Sequence, residues 1–441
     1  MTTQKAQWIV LVYVAAHNDL AGWGQRSLDQ ILGVGSTQQL KLTALYDWHG
    51  GATRYIAGEP GKAAVKQELS DFDSGDPDAL LETARWAFEQ CPAERYALVL
   101  WSHGSGWQPE DRERSARGQV FSGWTPEEIA RIAYQMRSDS VVSEREATER
   151  SAQPGSVALF RTTLERILGL DDPAKRATCF DDGSGHSLDT VELERVVRKV
   201  EAIIGQPLDL LGMDACVMAT LEVAYQVRRH VRYLIASEEM VPVRSWPYDT
   251  ILGALRDAPE TSARELAELV VQHYVDYYTA HPPPPNSGDV TKVALDLDRV
   301  GELVQATDGL AGALLEDIGK QADYLWAAQR EAQAKETLKG RRRASKFGFH
   351  LWDLGTLAAH LTAHSDGTAV HEAAQAVSAA LQPGGAVIAE GHRGEWFDGI
   401  GGVSIYAVPP NLQRISPYYA DVALARETRW SEMLKAYHAK L

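Results

Sequence analysis

Two residues of this chain pair a reactive side chain with a position that would present it. Cys216 follows the apolar run Leu208-Asp209-Leu210-Leu211-Gly212-Met213 through Asp214-Ala215, and His103 follows Tyr96-Ala97-Leu98-Val99-Leu100-Trp101 through Ser102. A thiolate is the nucleophilic form of cysteine. With a pKa of about 8.5 a free thiol is mostly protonated at neutral pH unless a cation or a helix N-terminus favours the charged form. His103 offers the first, and a helix predicted to begin near Val217 offers the second. Gly104 lets main chain approach a substrate, and its N–H, with that of Cys216, would hold an oxyanion. Taken singly, a cysteine in an apolar run is a small buried hydrophobe and a His-Gly pair is a turn. Together they make a nucleophile and a base.

The two runs are short, continuous and apolar, as strands buried on both faces of a parallel sheet are. In an open α/β sheet reactive groups gather at the carboxyl ends of strands, so residues far apart in sequence meet if their strands are neighbours. Strands are predicted near 8–16, 41–46, 96–101, 207–213 and 231–236, alternating with helices near 79–90, 189–204 and 218–229. That βαβ rhythm implies a doubly wound α/β sheet with helices on both faces. The Pro-rich stretch 281–290 reads as a stiff connector. Helices near 298–307 and 331–338 and strands near 347–352, 386–389 and 402–407 follow it, and no internal repeat is present.

The words around the two residues resemble those of the clostripain-like (C11) cysteine peptidases of the caspase-like clan. They are Ser102-His103-Gly104-Ser105-Gly106-Trp107, Met213-Asp214-Ala215-Cys216-Val217-Met218-Ala219, Ala236-Ser237-Glu238-Glu239 and Trp246-Pro247-Tyr248-Asp249. Further matching words run from Trp8–Ala16 through Ser74-Gly75-Asp76-Pro77, Asp181-Asp182, Leu188–Leu193 and Val293–Leu297 to Gly402–Tyr406. The resemblance implies a caspase-like α/β/α sandwich with a mostly parallel sheet: a catalytic domain over 1–280, a connector at 281–290, and a C-terminal α/β subdomain over 291–441 that completes the fold. It also implies an endopeptidase in which His103 is the base and Cys216 the nucleophile of a dyad, with the N–H groups of Gly104 and Cys216 as oxyanion hole.

Asp214 lies two residues before Cys216, on the same face if strand geometry persists. A carboxylate there disfavours the thiolate, so it makes sense as a receptor for a substrate cation, the Arg/Lys preference that the resemblance also implies. The other reading is a cap for the helix that follows. In the loop 240–245, where the family carries an acid, this chain has Arg244. Pointed into the pocket, Arg244 would pair with Asp214 and turn preference toward acidic or neutral residues; pointed outward, it changes nothing. His17 likewise stands where the family places an acid, and reads as a surface histidine at a strand end.

Between the two catalytic words, residues 109–172 are polar and rich in arginine. They read either as a solvated helical insertion or as a processing linker. The resemblance implies the latter, cut by the enzyme itself or by an upstream protease, with Arg137, Arg145 and Arg150 as candidate sites. No cofactor is expected to be required; some members of the family respond to calcium, which stays an open alternative here without a clear motif, since Asp71, Asp73, Asp76 and Asp78 lack the glycine and bidentate glutamate of a calcium loop. Asp76-Pro77 fits a helix start.

Of 441 residues, 44 are Lys or Arg and 60 are Asp or Glu, a net charge of −16 that argues against a nucleic-acid face. The basic cluster 339–343 reads as a solvated loop or a docking patch. The three cysteines, Cys91, Cys179 and Cys216, are too scattered for a disulfide framework or a zinc site. The apolar start is too short to span a membrane. The expectation is a cytoplasmic protein acting on protein or peptide substrates. The competing class is an inactive caspase-like scaffold.

Overall fold

A computed structural model describes residues 5–18, 20–104, 188–283, 289–316, 318–326, 351–407 and 415–440. Its strands are β1 (Ala6–Ala15), β2 (Leu40–Trp48), β3 (Gly51–Ile56), β4 (Val65–Leu69), β5 (Ala93–Trp101), β6 (Leu208–Asp214), β7 (Val231–Ala236), β8 (Val290–Asp296), β9 (Leu351–Asp353), β10 (Val387–Arg393) and β11 (Ser404–Tyr406). The helices that bear on the site are α1 (Ala21–Val34), α2 (Pro77–Gln90), α3 (Thr190–Ile204), α4 (Leu221–Val227), α5 (Tyr248–Asp257), α6 (Ala263–Ala280) and α7 (Val300–Glu316).

Strands β1, β5 and β6 are buried almost throughout, and such strands can only sit inside a sheet covered on both faces. They form the middle of a nine-stranded sheet ordered β10-β8-β7-β6-β5-β1-β2-β3-β4. Neighbours from β2 through β1, β5 and β6 to β7 run parallel. The flanks β3–β4 and β8–β10 are joined antiparallel. The chain leaves β1 toward β2 but later runs from β5 to β6 to β7, the opposite way across the sheet. Right-handed crossovers in opposite directions put their helices on opposite faces. Accordingly α1 packs with α5, and α5 with α6, while α2, α3, α4 and α7 form a separate packed series. The reversal beside β1 is the switch point at which open α/β sheets carry their sites.

Local sequence sets the helix ends. Asp76 caps α2 with Pro77 behind it. Asp189 and Glu192 form a capping box on α3, and Ser262 and Glu265 form one on α6; each cap contributes on the order of 1 kcal/mol.

The parallel strands stand within a few residues of their predicted positions, and so do α2, α3 and the start of α7. The β3–β4 hairpin and strand β8 were not anticipated from the sequence. Strand β4 is mostly exposed, with Val65 65% accessible, so it has no buried face to leave a pattern. Beyond the expected boundary at 280 the sheet continues, because β8 and β10 are hydrogen-bonded into it. The segment 109–172 with Arg137, Arg145 and Arg150, Cys179, the acidic pair 181–182, the helix expected at 331–338, most of the strand expected at 347–352 and the basic cluster 339–343 lie outside the described residues, as does part of the connector at 284–288.

The C-terminal chain is fastened to the residues just after Cys216. The Ser404 N–H donates to Ala219 O at 2.9 Å, and the Tyr406 N–H and the Tyr419 hydroxyl donate to Glu222 Oε1 at 3.0 Å each. Glu222 is fully buried on α4, and burial raises its carboxyl from 4.5 to about 7. The folded chain therefore keeps this proton up to about pH 7, whereas the unfolded chain loses it near 4.5. Stability from this group is complete at low pH and is lost as pH rises across that window, by roughly 2–4 kcal/mol. Glu222→Gln, neutral at every pH, is expected to gain stability relative to wild type by that amount between pH 4.5 and 7.5 and to show no further change above it. Denaturant unfolding of both proteins across the range checks this, and a flat difference overturns it.

Candidate active site

Trp101 at the end of β5 pairs with Asp214 at the end of β6. His103 and Cys216 each lie two residues beyond that pair, so adjacent parallel strands deliver both to one edge of the sheet. The Ser102 N–H donates to Asp214 O at 3.4 Å, and the Ser102 hydroxyl donates to Ala15 O at 3.0 Å, fixing the turn into His103 against β6 and β1. Gly104 packs its main chain on that of Cys216. A Cβ at position 104 would lie 2.4 Å from Cys216 O and 3.0 Å from Cys216 N. This approach of two main chains, unlike the approach to a substrate expected from the sequence, is what requires glycine here.

Past Cys216 the chain turns sharply. Val217 holds φ +53°, a conformation a β-branched residue avoids at a strain of about 1–3 kcal/mol. Its N–H donates to Glu239 O at 3.1 Å, and that of Ala219 to Ser237 O at 2.9 Å. Helix α4 starts only at Leu221, capped by Thr220. This corrects two expectations: no helix N-terminus sits at the thiol to favour its charged form, and Asp214 does not cap the helix that follows.

The thiol is covered. Cys216 is 8% exposed, and the Val241 N–H donates to its Sγ at 3.3 Å. Burial pushes the thiol up to about 12, with the carboxylates of Asp214 and Glu239 adding to the effect and the Val241 N–H and Lys292 opposing it. In this form the sulfur stays protonated at any ordinary pH.

Asp214, expected as an open receptor for a cation, is 3% exposed and already engaged. Its Oδ2 accepts from the Ser245 hydroxyl, from the Trp246 N–H at 3.2 Å and from the Tyr248 hydroxyl at 2.8 Å. Ser245 adopts φ +66° to do so, and the Tyr278 hydroxyl of α6 donates to Ser245 O at 2.9 Å. The Trp246 indole lies where a Cβ on Gly212 would sit, 2.8 Å away, so Gly212 and Asp214 share one face of β6 with Trp246. The loop's half-buried Arg244 is not among the partners of Asp214. The cation beside it is Lys292 of β8, fully buried, whose amine burial lowers to about 7. Sequence reasoning missed Lys292 because a single lysine in Val290-Thr291-Lys292-Val293 reads as an outward strand residue. It also missed Val241, an apolar loop residue whose backbone, not its side chain, reaches the sulfur.

His17 follows β1 toward the same edge, three residues past Val14 opposite Trp101. His17 stacks edge-on against His49 at 5.1 Å. Asp76 caps α2, Asp73 accepts from the Gly75 N–H at 2.9 Å, and Asp78 pairs with Lys199 at 3.4 Å. Among the described residues no cluster of His, Cys, Asp and Glu could hold a metal ion, and no described helix is long and apolar enough to cross a membrane.

Gly104→Ala is expected to displace the Cys216 main chain, since the backbone carbonyl at 2.4 Å cannot move aside as a side chain could. The measurement is labelling of Cys216 by a peptidyl acyloxymethyl ketone in the opened protein, with a tenfold or greater loss expected and wild-type labelling overturning the role given to Gly104.

No curated protein sequence matches the chain. Among solved structures, a secreted C11 cysteine protease from Bacteroides thetaiotaomicron in complex with an irreversible peptide inhibitor superimposes with a TM-score of 0.62 at 17% identity, over 97% of this chain and 100% of that one. An inactive zymogen C11 protease from Parabacteroides distasonis gives 0.58 at 17% identity, over 96% and 99%. At such identity these likenesses speak for the fold, a caspase-like α/β sandwich. The family model of the clostripain family, Peptidase_C11, matches residues 12–126 and 166–437, and the chain therefore belongs to the clostripain family of cysteine peptidases and is a hydrolase.

Proposed function

We propose that this chain is an endopeptidase whose nucleophile is Cys216 and whose base is His103, held in a latent form until the chain is cut between the two motifs. The observation that carries the reading is the β5–β6 register. It brings a thiol and an imidazole to one sheet edge and lays the Gly104 main chain on that of Cys216. In the open form His103 takes the thiol proton as the sulfur attacks the scissile carbonyl, then gives it to the leaving amine. The N–H groups of Gly104 and Cys216 stabilise the oxyanion. Latency is supported by the covered sulfur: a thiol held near 12 by burial is no nucleophile at neutral pH.

The Arg/Lys preference implied by the resemblance would need an Asp214 carboxylate open to a substrate cation. Its three donors and the neighbouring Lys292 support a non-basic preference instead. On that reading a cut at an arginine such as Arg137, Arg145 or Arg150 falls to an upstream protease rather than to the chain itself. A reducing, cytoplasmic setting suits the free thiols of Cys91 and Cys216.

The test compares wild type, Cys216→Ala and His103→Ala, each intact and each nicked within 109–172 by a trace of trypsin, on a mixed peptide library read by mass spectrometry. Intact wild type is expected to be silent and nicked wild type active. Nicked Cys216→Ala should be inactive, and nicked His103→Ala reduced by about 100-fold or more. Hydrolysis by Cys216→Ala overturns the nucleophile, and a nicked wild type that cuts nothing overturns the latent-enzyme reading.

A further inference from the structure

Beneath the thiol lies a polar cluster that neither proton transfer nor oxyanion binding uses. Lys292 is fully buried, and its Nζ makes no hydrogen bond. It sits 4.1 Å from the ring centre of Tyr274 and 4.9 Å from that of Trp246. Asp214 is its electrostatic partner, but the two stop short of a direct ion pair, and Asp214 Oδ1 is left without a hydrogen bond. The Trp246 indole N–H, on the same face, is also unbonded. Three buried polar atoms thus stand unsatisfied in one cluster beside Cys216.

Each such atom destabilises the fold, and more when it is charged. A Leu or Met at 292 would pack on the same two rings without that penalty, so packing does not account for the lysine. Its surroundings do. An ammonium over aromatic faces with a carboxylate nearby is how a protein receives a cationic side chain, and the cation that this receptor holds belongs to the chain itself.

We propose that Lys292 is the specificity-determining residue of the polar cluster beside Cys216: it occupies the site where Asp214 would otherwise take an arginine or lysine, and, once the site opens, it directs cleavage to bonds after residues with an acceptor side chain, Asn, Gln, Asp or Glu. Two features favour this class. The unbonded Nζ offers N–H donors and has no acceptor, so an amide or carboxylate completes it. A basic P1 residue would bring a second cation to a carboxylate already matched by one, a like-charge contact that rejects the wrong partner.

The inference rests on the peptidase reading above. Its test uses the full chain, nicked within 109–172, and a set of peptidyl substrates and acyloxymethyl ketones differing only at P1: Arg, Lys, Leu, Asn, Gln, Asp and Glu. Cleavage is read by fluorescence, and modification of Cys216 by intact mass. The wild-type ranking needs no substitution: acceptor-bearing P1 residues are expected to exceed Arg and Lys by at least tenfold in kcat/KM. Lys292→Met is expected to reverse the order, raising Arg and Lys above the rest by at least tenfold as Asp214 is freed. Arg or Lys as the best wild-type P1, with Cys216 labelled, overturns this inference and leaves the peptidase reading standing. So does a ranking unchanged in a folded Lys292→Met. No cleavage and no labelling by any member of the set overturns the peptidase reading and this inference with it.

Discussion

Everything at this site depends on one pairing, β5 beside β6 in parallel with Trp101 opposite Asp214. Parallel neighbours need a crossover rather than a tight turn, so residues far apart in the sequence are delivered to one edge here. The pairing fixes both the height of His103 and Cys216 above the sheet and the contact of their flanking main chains. The contact at Gly104 leaves no room for a Cβ. The remaining architecture holds this edge still. Ser102 ties β5 to β1, and the C-terminal chain, through Ser404 and Tyr406, anchors the residues that follow the cysteine.

The site is closed by polar contacts more than by apolar cover. The Val241 N–H reaches the sulfur, and the segment that carries it is pinned on both sides. Before it, the Glu238 and Glu239 N–H groups donate to Thr291 Oγ1 at 3.0 and 3.2 Å, and Glu238 accepts from the Ser404 hydroxyl at 2.6 Å. After it, Ser245 and Trp246 donate to Asp214. Burial is the main cause of the raised thiol pKa, so solvent reaching the sulfur would lower it.

The sequence made the parallel strands legible because each is a near-continuous apolar run with a sharp polar stop. The same stops located His103 and Cys216. The exposed β3–β4 hairpin was not legible, for it packs little and its residues alternate weakly. The helix after Cys216 was placed too early because Met218-Ala219 looks helical, whereas the backbone spends Val217 on a left-handed turn and begins α4 only after the Thr220 cap. The partners of Asp214 come from residues 245–248 and from β8, which spacing along one strand cannot reveal.

Lys292 shows why charge pairing resists reading from sequence. The arginine at 244 is visible as a reversed sign in a recognisable loop, and it invites the thought of a pair with Asp214. The antiparallel docking of β8 on β7, with Ala236 opposite Val293, instead brings the preceding residue, Lys292, under the loop. One register step would turn that side chain to the other face of the sheet, so the charge beside Asp214 is set by strand pairing as much as by residue type. The electrostatics agree with that placement: Asp214 is the largest influence opposing the loss of the Lys292 proton, and Lys292 the largest opposing the protonation of Asp214. Burial pushes each group toward its neutral form, and each is the strongest opposition to that shift in the other.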